Sequence, residues 1–297
     1  MKDWGCLLTA MVTPFAADGG VNISEAKRIA AYLVDEQRNT GIVVNGTTGE
    51  SPTTTEAEKF ALLDAVLEEV GDRAAVVFGA GTYNTAESQH YIREGTRRGA
   101  HGIMVVNPYY NKPGQDGLYA HFMACAEATD RPMMVYNIQP RSSINLETPT
   151  LMRLIQDIPH LRAVKEASGN LGQISDVIRE APEGFLVYSG DDGLTLAIIA
   201  LGGYGLVSVA AHLVGREYRE MIDCFATDPA RARALHHRVT PLVQELFAHP
   251  NPVPVKAGLA ARGFACEDVR LPLVKLSAEA KARLLRLAES SPAQPRS

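Results

Sequence analysis

The chain has 297 residues, 46% hydrophobic and 21% charged, the balance of a globular protein with a large core. A formal net charge of −5, with Lys and Arg scattered rather than striped, argues against nucleic acid as the main partner. No apolar run reaches the ~20 residues needed to cross a bilayer, and the start at Met1, Lys2, Asp3 and Trp4 lacks the pattern of a secretory leader. The four cysteines (Cys6, Cys125, Cys224, Cys266) lie far apart and read as reduced, mostly buried thiols, so the expected compartment is the cytoplasm.

Strand-length apolar runs alternate with amphipathic segments of helical period along most of the chain. Strands are expected at 6–12, 41–45, 74–79, 102–107, 132–137, 161–165, 185–189 and 205–209. Most are rich in Val, Ile or Leu without period-two polarity, as parallel strands buried on both faces should be. Helices are expected at 24–38, 55–70, 85–98, 117–128, 148–156, 171–180, 194–201 and 213–226. Thr55 followed by Glu56 and Glu58 marks a helix start, as does Pro149 after Thr148. Gly71, Gly99 and Gly202 stand where C-terminal left-handed residues belong.

Eight strand–helix units close a barrel, so the fold class is α/β, a (β/α)8 TIM barrel over residues 1–227. A doubly wound sheet is disfavoured because no G-x-G-x-x-G opens the first strand–helix turn. Helices at 229–247, 254–262 and 277–287 follow without strands and form a small C-terminal helical region over 228–297, of a kind often used for packing or oligomerisation. The Ser/Pro-rich stretch 290–297 is expected to fray.

A barrel carries its chemistry at the C-terminal ends of the strands. Unusual polar residues gather there in four places: Gly46-Thr47-Thr48-Gly49-Glu50, Asn107-Pro108-Tyr109-Tyr110-Asn111, Tyr136-Asn137 through Arg141, and Lys165-Glu166. Lys165 ends an inward-facing strand, whereas the other lysines sit on helices, loops or termini. A desolvated ammonium loses its proton more readily, and the freed amine can attack a carbonyl; the competing reading pairs Lys165 with Glu166 or another carboxylate for structure. The Gly-Thr-Thr-Gly turn offers backbone N–H groups and hydroxyls to a carboxylate-sized anion. Tyr136 can relay protons, and Arg141 can grip a second carboxylate. Each has an ordinary structural alternative; together they describe a site for a small keto acid.

These motifs, with Val164-Lys165-Glu166-Ala167-Ser168-Gly169-Asn170, Ser189-Gly190-Asp191-Asp192 and Asn251-Pro252-x-Pro254-x-Lys256, resemble the dihydrodipicolinate synthase / N-acetylneuraminate lyase family over about residues 8–276. The resemblance implies that Lys165 forms a Schiff base with pyruvate. It implies a proton relay of Thr47, Tyr136 and Tyr110, with Tyr110 supplied by a neighbouring subunit of a homotetramer. Thr47 and Thr48 hold the pyruvate carboxylate in this scheme, and the Val207 carbonyl faces the lysine. Gly-Thr-Thr-Gly-Glu and Arg141 are similar to the branch that uses aspartate semialdehyde, Arg141 binding its carboxylate. Gln139 before Pro140 departs from the usual Tyr-Asn-x-Pro-x-Arg, leaving open a lyase acting on a sugar-derived 2-keto acid. A keto-acid-binding paralogue without activity is a third reading. No cofactor or metal is implied, and the histidines, such as His236 and His237, have no ligand spacing. Asp191 reads as a helix N-cap. At positions matching the lysine-inhibition site of relatives, Ser51, Glu87 and Tyr109 fit, whereas Pro52, Glu56, Lys59 and Tyr83 do not; weak or absent feedback by lysine is expected.

Overall fold

The structure, a computed structural model, describes residues 2–290. Eight parallel strands close into a barrel in chain order: β1 (Leu7–Ala10), β2 (Gly41–Val44), β3 (Ala75–Gly79), β4 (Gly102–Val106), β5 (Met133–Asn137), β6 (Leu161–Glu166), β7 (Leu186–Ser189) and β8 (Gly205–Ser208). The helices around it are α1 (Ile23–Asp35), α2 (Glu56–Val70), α3 (Thr85–Arg97), α4 (Gln115–Ala126), α5 (Gln139–Ser142), α6 (Thr148–Asp157), α7 (Leu171–Glu180), α8 (Thr195–Ala200) and α9 (Ala211–Cys224). Three more follow without strands: α10 (Pro229–Phe247), α11 (Val253–Ala261) and α12 (Ala278–Ser290). The barrel expected from the alternation of periods is therefore the one observed. The tail expected to fray lies, after Ser290, outside the described residues.

Local chemistry explains most helix ends. Thr55 and Glu58 form a reciprocal capping box at α2, and Asn22, Asn84 and Asn170 cap α1, α3 and α7 through their side chains. Gly99 (φ +90°) and Gly202 (φ +102°) end their helices left-handed, as read from the sequence. Gly71 does not: it stays right-handed at φ −64°, and the chain reverses through Asp72 and Arg73 instead. α4 begins at Gln115, two residues before the expected start, because Gly114 rather than Gly117 is the flanking residue. α9 also starts earlier than expected and carries a non-helical residue, Val214 (φ −133°). Among the cysteines, all free, Cys125 and Cys266 are buried but Cys6 and Cys224 only partly so.

Two apolar layers share the strands. Alternate residues point outward against the helices, and the others point inward. The inward set includes Leu8, Ala10, Val43, Val77, Met104, Met134, Tyr136, Ala163, Tyr188 and Val207, with Trp4 closing the lower end. A Cβ at Gly102 would lie 2.2 Å from the Trp4 ring, so only glycine lets that plug seat. Because Ala163 and Ala167 face inward, the period of two sends Lys165 inward as well, and sends Val164 and Glu166 to the other face.

His212 closes the seam between β1 and β8. It is fully buried; its Nε2 accepts from the Val12 N–H at 3.2 Å, and its Nδ1 faces the Val209 carbonyl at 2.8 Å. Only a neutral ring can do both, and burial holds its pKa down at about 4. An unfolded histidine takes up its proton near pH 6.5, so this clamp contributes its full stability above that pH and loses it as pH falls toward 4. The shift of roughly 2.5 units corresponds to about 3 kcal/mol. His212→Asn, whose amide can serve both partners, is expected to match the parent in thermal unfolding at pH 7 and to be the more stable protein at pH 4.5. Parallel loss of both proteins with acid would remove His212 from the account.

Candidate active site

Lys165 is 5% exposed at the C-terminal end of β6, in register with Tyr136 on β5 and Tyr188 on β7. Its Nζ lies 4.2 Å from the centre of the Tyr136 ring. Burial lowers its pKa to about 8; Asp192 pulls it back up and Arg141 pushes it further down. Room for the side chain comes from Gly190, where a Cβ would stand 2.9 Å from Lys165 Cγ and 3.0 Å from Cε.

Lys165 is not alone in its burial, although the other buried lysines sit on helices, as the sequence indicates. Lys256 is 0% exposed and Lys59 is 5% exposed. Their partners separate the three. Lys256 Nζ bonds Glu50 Oε1 at 2.7 Å and the Thr13 carbonyl at 2.9 Å. Lys59 Nζ donates to the carbonyls of Ser51 and Thr54 and to the Thr54 hydroxyl. Among the described residues no carboxylate lies within ion-pair distance of Lys165. The structural pairing with Glu166 is absent too, because Glu166 faces the other way. It accepts from Asn137 Nδ2 at 3.0 Å and from the Ser168 N–H at 3.3 Å. Burial raises its pKa to about 7. An amine that is desolvated and unpaired is the one equipped to act as a nucleophile.

Tyr136 is buried, and burial raises its phenol pKa; Arg141 and a hydrogen bond with the Thr47 side chain oppose that shift. Lys165, Tyr136, Thr47 and Arg141 therefore share one electrostatic neighbourhood. Thr47 begins the 3-10 turn Thr47–Gly49, and Glu50 ends it in a left-handed conformation at φ 54°. A small cavity of about 50 Å³ is lined by Gly46, Thr47, Tyr109 and Tyr136 among others. Val207 is buried in β8 within the inward layer. Arg141 sits in α5, a helical turn unseen in the sequence. Pro140, the shifted proline, falls in its first turn, where it has no N–H to lose. The guanidinium is exposed, with no ion-pair partner among the described residues.

Tyr110 stands apart. The residue is 90% exposed on a backbone at φ 73°, and among the described residues it joins no hydrogen bond. Thr48 is 3% exposed, and its hydroxyl accepts from Asn251 Nδ2 at 2.9 Å. Asp191 caps the turn before α8, accepting from the N–H groups of Gly193 and Leu194. Its neighbour Asp192 was overlooked. Asp192 is 1% exposed, with a pKa raised to about 6 by burial, and it is the carboxylate that acts on Lys165. It accepts from the Ser208 hydroxyl, from Val209 N at 3.0 Å and from Ala210 N at 3.3 Å. Two adjacent acidic residues after β7 were the available signal.

A larger cavity, about 800 Å³, lies outside the barrel against α1, α11 and α12. Its arginines are engaged already: Arg262 with Tyr32 and the Leu213 carbonyl, Arg28 with Glu25 and Gly263, and Arg216 with the Glu36 carbonyl. Size favours that cavity, and chemistry favours the barrel mouth. Among the described residues no cluster of three His, Cys, Asp or Glu side chains could hold a metal, and no helix is long and apolar enough to cross a membrane.

The sequence profile of the Dihydrodipicolinate synthetase family matches residues 3–291. The chain is 51% identical over 282 residues to the 4-hydroxy-tetrahydrodipicolinate synthase of Moorella thermoacetica, covering 95% of this chain and 96% of that one. A solved dihydrodipicolinate synthase from Bacillus anthracis superposes with a TM-score of 0.95 at 41% identity, covering 100% of both chains. The enzyme from Cyanidioschyzon merolae, solved with lysine bound, gives 0.95 at 40% identity over 98% of this chain and 99% of that one. With its motifs ordered around one unpaired lysine and these likenesses spanning its length, the chain belongs to the dihydrodipicolinate synthetase family.

Proposed function

We propose that this protein is a 4-hydroxy-tetrahydrodipicolinate synthase, a lyase that condenses pyruvate with aspartate 4-semialdehyde on the route to diaminopimelate and lysine. The observation that carries the reading is the Lys165 amine: buried, free of any ion pair, with a pKa near 8 and seated over Tyr136. At pH 7 about a tenth of such amines are unprotonated, far more than for a solvated lysine. The free amine adds to C2 of pyruvate, and loss of water leaves the imine. Tyr136 and Thr47 pass the protons, with Tyr110 of an adjacent subunit completing the relay in a homotetramer. Thr47 and Thr48 hold the carboxylate, while the Val207 carbonyl faces the lysine. Loss of a methyl proton gives the enamine, whose carbon attacks the aldehyde. The aldehyde's own amine then displaces Lys165 from the imine, closing the ring and restoring the enzyme. The chemistry asks for no cofactor, and a cytoplasmic site of action suits its four free thiols.

Arg141 supplies the grip on the second carboxylate. Loss of one charge-assisted pair costs roughly 2 kcal/mol, or about 30-fold. Arg141→Ala is expected to raise KM for aspartate semialdehyde by about that factor while pyruvate trapping at Lys165 by borohydride stays intact. A coupled assay offering aspartate semialdehyde, N-acetylneuraminate and 2-keto-3-deoxy acids tests the assignment. Faster turnover of a sugar acid would replace it with the lyase reading. Trapping without turnover of any of them would leave a binding protein.

Feedback by lysine is expected to be weak. Lys59 fills its place by turning inward to the Ser51–Thr54 carbonyls, and Glu56 and Glu87 already meet His90 and Tyr91. Titration with lysine should show no half-effect in the sub-millimolar range.

A further inference from the structure

A hydroxyl has one proton to give and two lone pairs to offer. In Thr48 one lone pair is taken by Asn251 Nδ2 at 2.9 Å, across a sequence separation of 203 residues. Among the described residues nothing accepts the Thr48 proton. The group is thereby left as a donor, on a residue 3% exposed, in the turn that also carries Thr47. Asn251 is held in turn. It stands just before α11, whose Lys256 bonds Glu50 at 2.7 Å, two residues beyond Thr48. Glu50 accepts also from Arg270 N at 3.1 Å, and the Thr13 hydroxyl donates to the Gly49 carbonyl at 2.7 Å. The turn is therefore fixed from both sides by segments distant in sequence.

We infer that Asn251 is a positioning residue for the keto acid: by donating to the Thr48 oxygen it forces the Thr48 proton toward the substrate carboxylate. This rests on the reading of Thr47 and Thr48 as the pyruvate carboxylate site. An aspartate at 251 has only acceptors when ionised, so it would take the Thr48 proton for itself and set a negative charge near the substrate's. A leucine would leave the hydroxyl free to rotate.

The test measures borohydride trapping at Lys165 as a function of pyruvate, alongside steady-state kinetics and thermal unfolding. Asn251→Asp is expected to raise the half-saturating pyruvate concentration by ~30-fold and Asn251→Leu by ~5-fold. The rate at saturating pyruvate and KM for the aldehyde should change by less than about threefold, the pattern of lost uniform binding. With hydroxyacetone, a ketone without the carboxylate, initial trapping rates should be the same in parent and variants. In a Thr48→Val background, Asn251→Leu should have no further effect on pyruvate; that pair, with Asn251→Ala, decides the matter if the aspartate variant does not fold. Equal losses with pyruvate and hydroxyacetone, or a lowered unfolding temperature with unchanged pyruvate saturation, would overturn the role of Asn251 alone. Absence of any adduct on Lys165 in the parent enzyme would instead overturn the catalytic reading beneath it.

Discussion

Lys165→Met is expected to abolish the pyruvate adduct, to reduce turnover on the order of a thousandfold or more, and to make the protein harder to unfold. The last effect follows from the same cause as the first two. An ordinary lysine loses its proton near pH 10.5, whereas burial brings Lys165 down to about 8. At neutral pH, below both values, the folded protein therefore carries the full penalty of a charged amine in a dry place. A shift of roughly 2.5 units amounts to as much as about 3 kcal/mol. For a chain of this length that is ~5 °C in unfolding temperature. Methionine keeps the length of the side chain and sets a thioether over the Tyr136 ring, a favourable contact. The gain should shrink as pH rises from 8 toward 10.5, since the parent amine then becomes neutral in both states. Calorimetry of the two proteins at pH 7 and pH 10 checks this. Identical midpoints at pH 7 would mean that the amine is not under strain, and a surviving adduct in the variant would move the chemistry to another lysine.

The buried pair Lys256–Glu50 should respond in the opposite way. Both side chains are sealed from solvent, at 0% and 1% exposure. Removing one partner strands the other's charge, which costs about 3–5 kcal/mol. Lys256→Met leaves Glu50 with the Arg270 N–H as its remaining donor; Glu50→Gln leaves Lys256 with the Thr13 carbonyl. Each single variant is expected to unfold well below the parent. The double variant Lys256→Met/Glu50→Gln should be no less stable than either single variant, because neither charge is then stranded. That requires a coupling at least as large as one single loss, about 3–5 kcal/mol, in denaturant unfolding. Simple additivity of the two losses would show that the pair does not act as a unit. Recovered stability need not restore pyruvate affinity, since the turn holding Thr47 and Thr48 would have lost its anchor. The pair is better described as a device for placement than as a source of stability.

How much of this was legible beforehand depended on range. The strand period carried Lys165 to the inside with Ala163, and Gly99, Gly202, Thr55 and Asp191 followed from rules that act within a few residues. The reading faltered where the deciding partner is distant. Nothing near Lys256 announces that a glutamate 206 positions away will bury it, and Lys59 looks like a surface helix residue until the carbonyls of the preceding turn are in view. Gly71 was misjudged because a glycine after a helix has two ways out, and here it keeps the right-handed one. Asp192 was passed over beside Asp191, although the two do different work: one caps a turn, the other is buried and acts through its charge on the lysine. Tyr110 belongs to another category. Its ring is exposed in the single chain, so its assignment came from family likeness and awaits an assembly of several copies.

The long reach between Thr48 and Asn251 bears on the order in which the protein comes to life. A ribosome has made all eight strands before Asn251 emerges, and contacts so far apart form late because of the loop that must close. A nascent barrel can thus possess its reactive amine while the anion pocket beside it is still loose. On the role inferred for Asn251, competence waits for the helices that follow the barrel, a latch on work begun two hundred residues earlier.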